Sequence, residues 1–176
     1  IGRLEVKNSS KSIAKVIGQG LSNQETMFHA PFFSTVQFVC AGNDSEGLKY
    51  GSIKTEEKYF LKWKEDEADD SRFKLDKYLL KMCEKSRILE LMHDFVLFDG
   101  GTKKLPRVQP YFGIKAAQKH DPERQGGIIW HTQGSGKSIV MVLLAKWITE
   151  NTHKARVTMH TAPTDGDRQA ARDPDV

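Results

Sequence analysis

Cysteine is nearly absent: Cys40 and Cys83 are the only two in 176 residues, far apart and without the spacing of metal ligands. This excludes a disulfide-stapled scaffold or a zinc framework, and it fits a reducing compartment. No apolar run approaches the roughly 20 residues of a membrane span. No basic segment followed by an apolar stretch marks a signal peptide, since the chain opens on the strand-like IGRLEV. The expectation is therefore a cytoplasmic, soluble protein with no membrane. No internal repeat is present, which excludes a solenoid. Neither charge sign dominates: 27 Lys and Arg stand against 23 Asp and Glu, a net +4. The basic residues are spread along the chain, so a polyanionic partner is allowed but not demanded. With 38% hydrophobic and 28% charged residues, the chain reads as globular, long enough for one domain or parts of two.

What is present is one strongly patterned stretch, GGIIWHTQGSGKSIVMVLLAKWITE, from Gly126 to Glu150. Gly126 to Trp130 suits a short buried parallel strand. From Gly136 onward, Val140, Leu143, Leu144 and Trp147 recur at helical spacing. Between them lies a Walker A loop. Glycines let the backbone turn and bring its N–H groups onto phosphate oxygens, and the following helix aims its positive dipole end at the same anion. Lys137 reaches the β- and γ-phosphates, and the Ser138 hydroxyl is placed to ligate Mg²⁺. His131 stands where the pattern ordinarily opens with Gly or Ala.

At the N-terminus, Arg3, Glu5 and Lys7 alternate with Leu4 and Val6, as in a half-buried strand. Glu5 and Lys7 then share a face. This is the E-x-K half of a PD-(D/E)xK nuclease site, in which carboxylates hold Mg²⁺ and the lysine helps activate water. The same triplet also occurs as a plain surface ion pair. The partner aspartate is expected on a preceding strand outside this sequence. Lys11 to Gln24 reads as a helix, with Ile13, Val16, Ile17 and Leu21 on one face, and Gln19 is a candidate to project back toward the strand end. Phe33 to Ala41, Leu48 to Ile53 and Tyr59 to Trp63 read as further strands, completing an α/β module of nuclease size.

Asp66-Glu67-Ala68-Asp69 spells a helicase DEAD box, but it precedes the phosphate loop by about sixty residues inside a run of like charges, so it reads as linker or solvated face. Phe73 to His93 is a long helical pattern, with Ser86 as a break. Phe95 to Phe98 is a buried-strand candidate closed by Asp99-Gly100-Gly101. Pro110 to His120 is a helix, with Gln109 before it as a candidate reader of adenine. Ala155 to Thr161 is the strand expected after the Walker helix, and 162–176 looks disordered. The expected fold class is α/β: a partial nuclease domain over 1–64, a helical linker over 65–93, the start of a RecA-like P-loop domain over 94–161, and a tail over 162–176.

These residues together carry a family resemblance. The stretch HDFVLFDGG, then QPYFGIKAAQK, then GGIIWHTQGSGKSIVMVLLAKWITEN, resembles the restriction (R) subunit of type I restriction–modification enzymes. LEVKNSSKSI, LSNQ, PFFSTVQFVCAGNDSEGLKYGSI and EKYFLKWKED resemble its N-terminal part, so the likeness covers about residues 1–161. His131 is typical of that family. The resemblance implies a PD-(D/E)xK nuclease followed by two RecA-like lobes of superfamily 2. It implies Glu5 and Lys7 as the E-x-K pair, with Glu5 on the nuclease Mg²⁺. Gln19 would be the glutamine of a Q-x-x-x-Y element whose tyrosine position is Asn23 here. Thr132, Gln133, Gly134, Ser135, Gly136, Lys137 and Ser138 would form the ATP-binding loop, with Ser138 on Mg-ATP. The family's usual T-D-R-x-x-L-D-x-Q continuation is replaced by TAPTDGDRQ.

The implied activity is ATP-driven translocation of double-stranded DNA coupled to endonucleolytic cleavage. ATP and Mg²⁺ are the cofactors, and modification (methyltransferase) and specificity subunits are the partners. The leading aspartate, the Walker B carboxylates, the second lobe and an arginine finger are not in the sequence, so the fragment by itself is expected to be inactive. The alternative is a stand-alone nucleotide-binding module that docks onto those subunits without catalysis. A kinase or repair helicase is a third reading, against which the upstream E-x-K argues.

Overall fold

The computed structural model describes residues 2–25, 29–65, 68, 72–120, 127–130, 136–152 and 154–160. It is mixed α/β. Strand β1 (Gly2–Val6) leads through helix α1 (Ile13–Glu25) and a short helix α2 (Ala30–Ser34) into β2 (Phe38–Asn43), which pairs with β1 in parallel. A tight turn reverses β2 into β3 (Gly47–Gly51). After a single 3₁₀ turn at Glu57–Tyr59, β4 (Leu61–Trp63) closes an antiparallel meander, giving the order β1-β2-β3-β4. Parallel neighbours need a crossover segment, and α1 with α2 supplies it.

The pleat divides this sheet between two cores. Ala41 packs with Ile13, Val16 and Ile17 of α1 on one side. Phe38, Cys40, Leu48, Tyr50 and Trp63 face the other side, where Leu75, Tyr78 and Met82 of α3 (Lys74–Met82), Leu91 of α4 (Lys85–Asp94), and Phe95 cover them. Tyr111 and Ile114 of α5 (Val108–His120) and Val140 and Leu143 of α6 (Lys137–Asn151) join the same cluster. The helical pattern read over Phe73 to His93 forms α3 and α4, and its apolar stripe packs onto the sheet. Its helices separate at Cys83–Glu84 rather than at Ser86: the Glu84 carboxylate caps α4 by accepting from the Ser86 and Arg87 backbone N–H groups.

Several sequence expectations are corrected. Phe33 to Ala41 is not one strand. Pro31 sits in the first turn of α2, where its missing N–H costs nothing, and the strand begins only at Phe38. Phe95 is buried, but Phe98 is 69% exposed. The predicted buried strand is a small hairpin, β5 (Leu97–Asp99) with β6 (Thr102–Lys104), turned by Gly100 and Gly101, both at positive φ. Residues 127–130 form no strand, and Ile128 and Trp130 are 91% and 88% exposed. Residues 155–160 likewise carry no ladder. A buried parallel strand needs hydrogen-bonded neighbours on both edges, and none flank these segments among the described residues. Of the charged run, Glu65 is not solvated: it accepts from Trp63 Nε1 at 3.1 Å and pairs with Arg87 at 2.7 Å. Residues 66, 67 and 69, and the tail from 161, lie outside the described residues.

Gly42 tests this packing. A Cβ there would meet Leu75 Cδ1 at 2.3 Å and the Gly47 carbonyl oxygen at 3.0 Å. Gly42→Ala is expected to destabilise by about 1–3 kcal/mol through overpacking. Urea unfolding followed by tryptophan fluorescence measures it, and an unchanged midpoint would contradict the packing.

Candidate functional site

The parallel pairing of β1 with β2 sets the first site. Register puts Arg3 opposite Val39 and Glu5 opposite Ala41, so Arg3, Glu5 and Lys7 face the α1 side of the sheet. This face is the more covered one: the Glu5 side chain is 16% exposed, whereas Val6, pointing the other way, is 52% exposed. The expected alternation holds, with its buried and open faces exchanged: among the described residues no helix covers the Leu4–Val6 side of β1, and both side chains are exposed. Glu5 Oε2 accepts from Arg3 at 2.7 Å, and Glu5 Oε1 lies 3.4 Å from Lys7 Nζ. Arg3 is a partner that the E-x-K pattern omits, although two-residue alternation already places it beside Glu5.

Gln19 does project back. It lines a cleft of about 500 Å³ together with Lys7, Ser10, Lys11, Ser12, Lys15 and Val16. The structure therefore brings Lys7 and Gln19 to one opening. The floor of this region is fixed from the β2–β3 turn. Asn43 is buried, and its Nδ2 donates to the Lys11 carbonyl at 2.9 Å while its Oδ1 accepts from the Glu46 backbone N–H at 2.7 Å. Glu46 Oε1 in turn accepts from the Ile13 N–H at 2.9 Å, capping α1 from 33 residues away. That bond, then the neighbouring Lys49, holds the Glu46 carboxyl below its ordinary value. No local sequence signal announces Glu46, since the contact is made only by the fold.

The described acids do not gather into a metal-binding group of three or more His, Cys, Asp or Glu. A divalent cation at Glu5 would therefore need phosphate oxygens and water to complete its shell.

At the second site, Thr132, Gln133, Gly134 and Ser135 lie outside the described residues. Gly136, Lys137 and Ser138 are described. Gly136 has φ +93° and ψ 34°, a left-handed conformation that a side chain would strain, and it turns the chain directly into α6. Gly136 has no side chain to cap the first turn, and the 15-residue helix that follows presents its amide end there. This arrangement fits a phosphate. Gln109 lies exposed in the first turn of α5, which packs beside α6 through the shared core.

A wider cleft of about 790 Å³ opens between the β3–β4 connection and the β5–β6 hairpin, with Lys54, Tyr59, Phe98, Lys103, Arg107 and Ile139 in its walls. Burial pulls the Lys103 ammonium below its ordinary value, and its Nζ donates to Gln37 Oε1 at 2.6 Å. No sequence motif marks this cleft.

A family model for SWI2/SNF2 ATPases matches residues 109–175. The particular relatives are restriction enzymes. The chain is 30% identical over 134 positions to a putative type I restriction enzyme MjaIXP endonuclease subunit of Methanocaldococcus jannaschii, covering 58% of this chain and 13% of that protein. It is 30% identical over 121 positions to the type I restriction enzyme HindI endonuclease subunit of Haemophilus influenzae, covering 57% of this chain and 12% of the relative. A putative MjaVIIIP endonuclease subunit of M. jannaschii is 28% identical over 131 positions, 65% of this chain and 12% of the relative. The resemblance to type I restriction enzyme endonuclease subunits is thus borne out, and the match to the SWI2/SNF2 ATPase model lies on its C-terminal side. The chain spans 12–13% of the length of these relatives. No helix among the described residues is long and apolar enough to cross a membrane.

The Glu46 clasp predicts a pH signature. A carboxyl held low in the folded state contributes stability above its unfolded pKa near 4.5 and loses it as pH falls through the lowered value. Glu46→Gln is expected to flatten the acid limb of the stability profile below pH 4.5. Denaturant midpoints of both chains between neutrality and acid measure this, and parallel limbs would show that Glu46 contributes nothing.

Proposed function

We propose that this chain is part of a type I restriction enzyme R subunit, in which ATP-driven translocation of double-stranded DNA is coupled to endonucleolytic cleavage. The observation that carries this reading is a juxtaposition within one fold. Glu5 and Lys7 share a strand face whose cleft also takes Gln19, and a left-handed Gly136 opens a Lys137–Ser138 helix downstream. The likeness to endonuclease subunits supports both halves.

In this proposal the N-terminal sheet belongs to a PD-(D/E)xK nuclease domain and the α6 region opens a RecA-like motor. Glu5 holds a divalent cation on the scissile phosphate, Lys7 orients the attacking water and Gln19 positions the strand. Thr132 through Ser138 cradle ATP, with Lys137 on the outer phosphates and the Ser138 hydroxyl on Mg²⁺. The partners are double-stranded DNA with the modification and specificity subunits, and the compartment is the cytoplasm. The alternative, a nucleotide-binding module docking on those subunits without catalysis, is favoured by one observation: the described residues hold no group of three or more His, Cys, Asp or Glu that could bind a metal ion.

The 176-residue chain is expected to bind Mg-ATP at the α6 end opened by Gly136, without DNA-stimulated turnover. Lys137→Ala should weaken nucleotide binding at least about tenfold, the loss of one charge-assisted hydrogen bond of about 1.5–3 kcal/mol. Equilibrium binding of a fluorescent ATP analogue, with phosphate release measured with and without duplex DNA, checks both. Tight binding by the Ala variant would remove the P-loop assignment, and DNA-stimulated release would refute the inactivity of the isolated chain.

A further inference from the structure

The cleft beside Lys7 carries more positive charge than the E-x-K chemistry uses. Lys11 and Lys15 line it with Lys7, and both are exposed. Neither has an acidic partner among the described residues, unlike Lys7 and Lys49, which pair with Glu5 and Glu46. The acids nearby are already engaged: Glu5 by Arg3 and Lys7, and Glu46 by the Ile13 N–H and Lys49.

The backbone that carries these lysines is fixed. The buried Asn43 holds the Lys11 carbonyl, the Lys11 N–H donates to the Asn8 carbonyl at 2.9 Å, and the Lys7 N–H donates to the Gly42 carbonyl at 3.3 Å. Lys15 and Gln19 stand four residues apart on α1, on the same helix face and over the same opening. Ammonium groups converging on one cleft repel one another, and a polyanion threaded through it relieves that repulsion.

We propose that Lys11 and Lys15 are positioning residues that clamp the sugar-phosphate backbone of a DNA strand next to the phosphate addressed by Glu5 and Lys7. This deepens the nuclease reading and rests on it for the identity of the strand. Phosphate contacts of this kind fix the register of the strand and carry no base specificity.

The test is binding of a fluorescent DNA duplex to the full chain by anisotropy, over a salt series without nucleotide. The plot of log affinity against log salt should become shallower by about 0.9 for each phosphate that a removed lysine no longer neutralises. Lys15→Gln is therefore expected to reduce the slope by about one and Lys11→Ala/Lys15→Ala by about two, with Lys15→Arg retaining the original slope. An unchanged slope in the double variant overturns the clamp, as does the absence of salt-dependent binding by the unaltered chain. Competition by inorganic phosphate at concentrations that leave ionic strength unchanged would assign the cleft to a free anion and also overturn it. A Glu5→Gln arm separates the two readings. If the lysine variants flatten the slope while Glu5→Gln leaves Mg²⁺-enhanced binding untouched, the clamp stands and the E-x-K assignment fails. If Glu5→Gln abolishes the Mg²⁺ effect while the lysines do nothing, the reverse holds.

Discussion

The chain turns on an aromatic contact at the end of β4. The Trp63 ring is fully buried, 5.9 Å from Tyr50 on the neighbouring strand and 5.9 Å from Tyr111 on α5, and Tyr111 continues to Phe95 at 4.9 Å. Aromatic pairs at these separations add about 0.5–1.5 kcal/mol each beyond their burial. Polar groups lock the cluster at its rim. Trp63 Nε1 and Arg87 share the Glu65 carboxylate, Arg87 lies 5.7 Å over the Tyr111 ring, and the Tyr111 hydroxyl donates to Glu90 at 3.0 Å. Tyr50 donates to the Pro106 carbonyl at 2.6 Å, tying the sheet to the loop that feeds α5. Burial raises the Tyr111 hydroxyl to about 12 and pushes Tyr50 higher still, so both remain neutral donors across the physiological range. The sheet bearing Glu5 and the helix bearing Lys137 consequently share one apolar core.

That shared core separates the duties of the two sheet faces. The face toward α3, α5 and α6 is almost wholly apolar and serves cohesion. The face toward α1 is apolar under Ile13, Val16 and Ile17 and around Phe33, Val36 and Val39, and turns charged toward β1. Glu5 sits at this boundary with a cation on each side. Removing either cation would leave a mostly covered carboxylate less compensated, which is costly in a partly desolvated place. A divalent cation held by Glu5, as proposed, would replace ammonium or guanidinium neighbours without a new charge having to be buried. Arg3 would then compete for the site as well as support it.

Legibility from sequence follows the range of the interaction that decides each element. The α1 and α6 helices are readable from Ile13–Val16–Ile17 and Val140–Leu143, because their hydrogen bonds close within four residues and periodicity reports the buried face directly. Gly136 is readable for the same reason: a single left-handed turn before a helix is a local demand. The strands are readable as a meander, since β2, β3 and β4 are consecutive neighbours. The break at Glu84 lies two residues from where sequence puts it because Ser86 looks like a cap, whereas the carboxylate one step before the helix reaches its free amides. Phe33 and Val36 read as strand because apolar content alone cannot tell a short helix from an extended run, and Pro31 decides for the helix. Glu46, Asn43 and Lys15 carry no sequence signal as site residues, because each acts across more than twenty residues of chain or gains meaning only from the cleft that the crossover builds.

The GGIIW segment shows the other limit of local reasoning. Its composition is that of a buried strand, yet Ile128 and Trp130 stand almost fully in solvent. Burial of two such side chains would contribute about 1.5–3 kcal/mol each, so their exposure forgoes a stabilisation comparable to a sizeable part of a domain's net stability. α6 forms beside this segment regardless, because a helix satisfies its own backbone and needs only one packed stripe, which Val140 and Leu143 supply against α5. A strand has no such independence: its N–H and C=O groups are completed only by neighbours. The proposed phosphate loop would join these two behaviours. Its helical side follows α6, which packs into the common core through Val140 and Leu143, while a strand side would need sheet partners. A nucleotide bound at Gly136–Ser138 would therefore read the helix first, and its affinity would report how far the strand side has been brought into register.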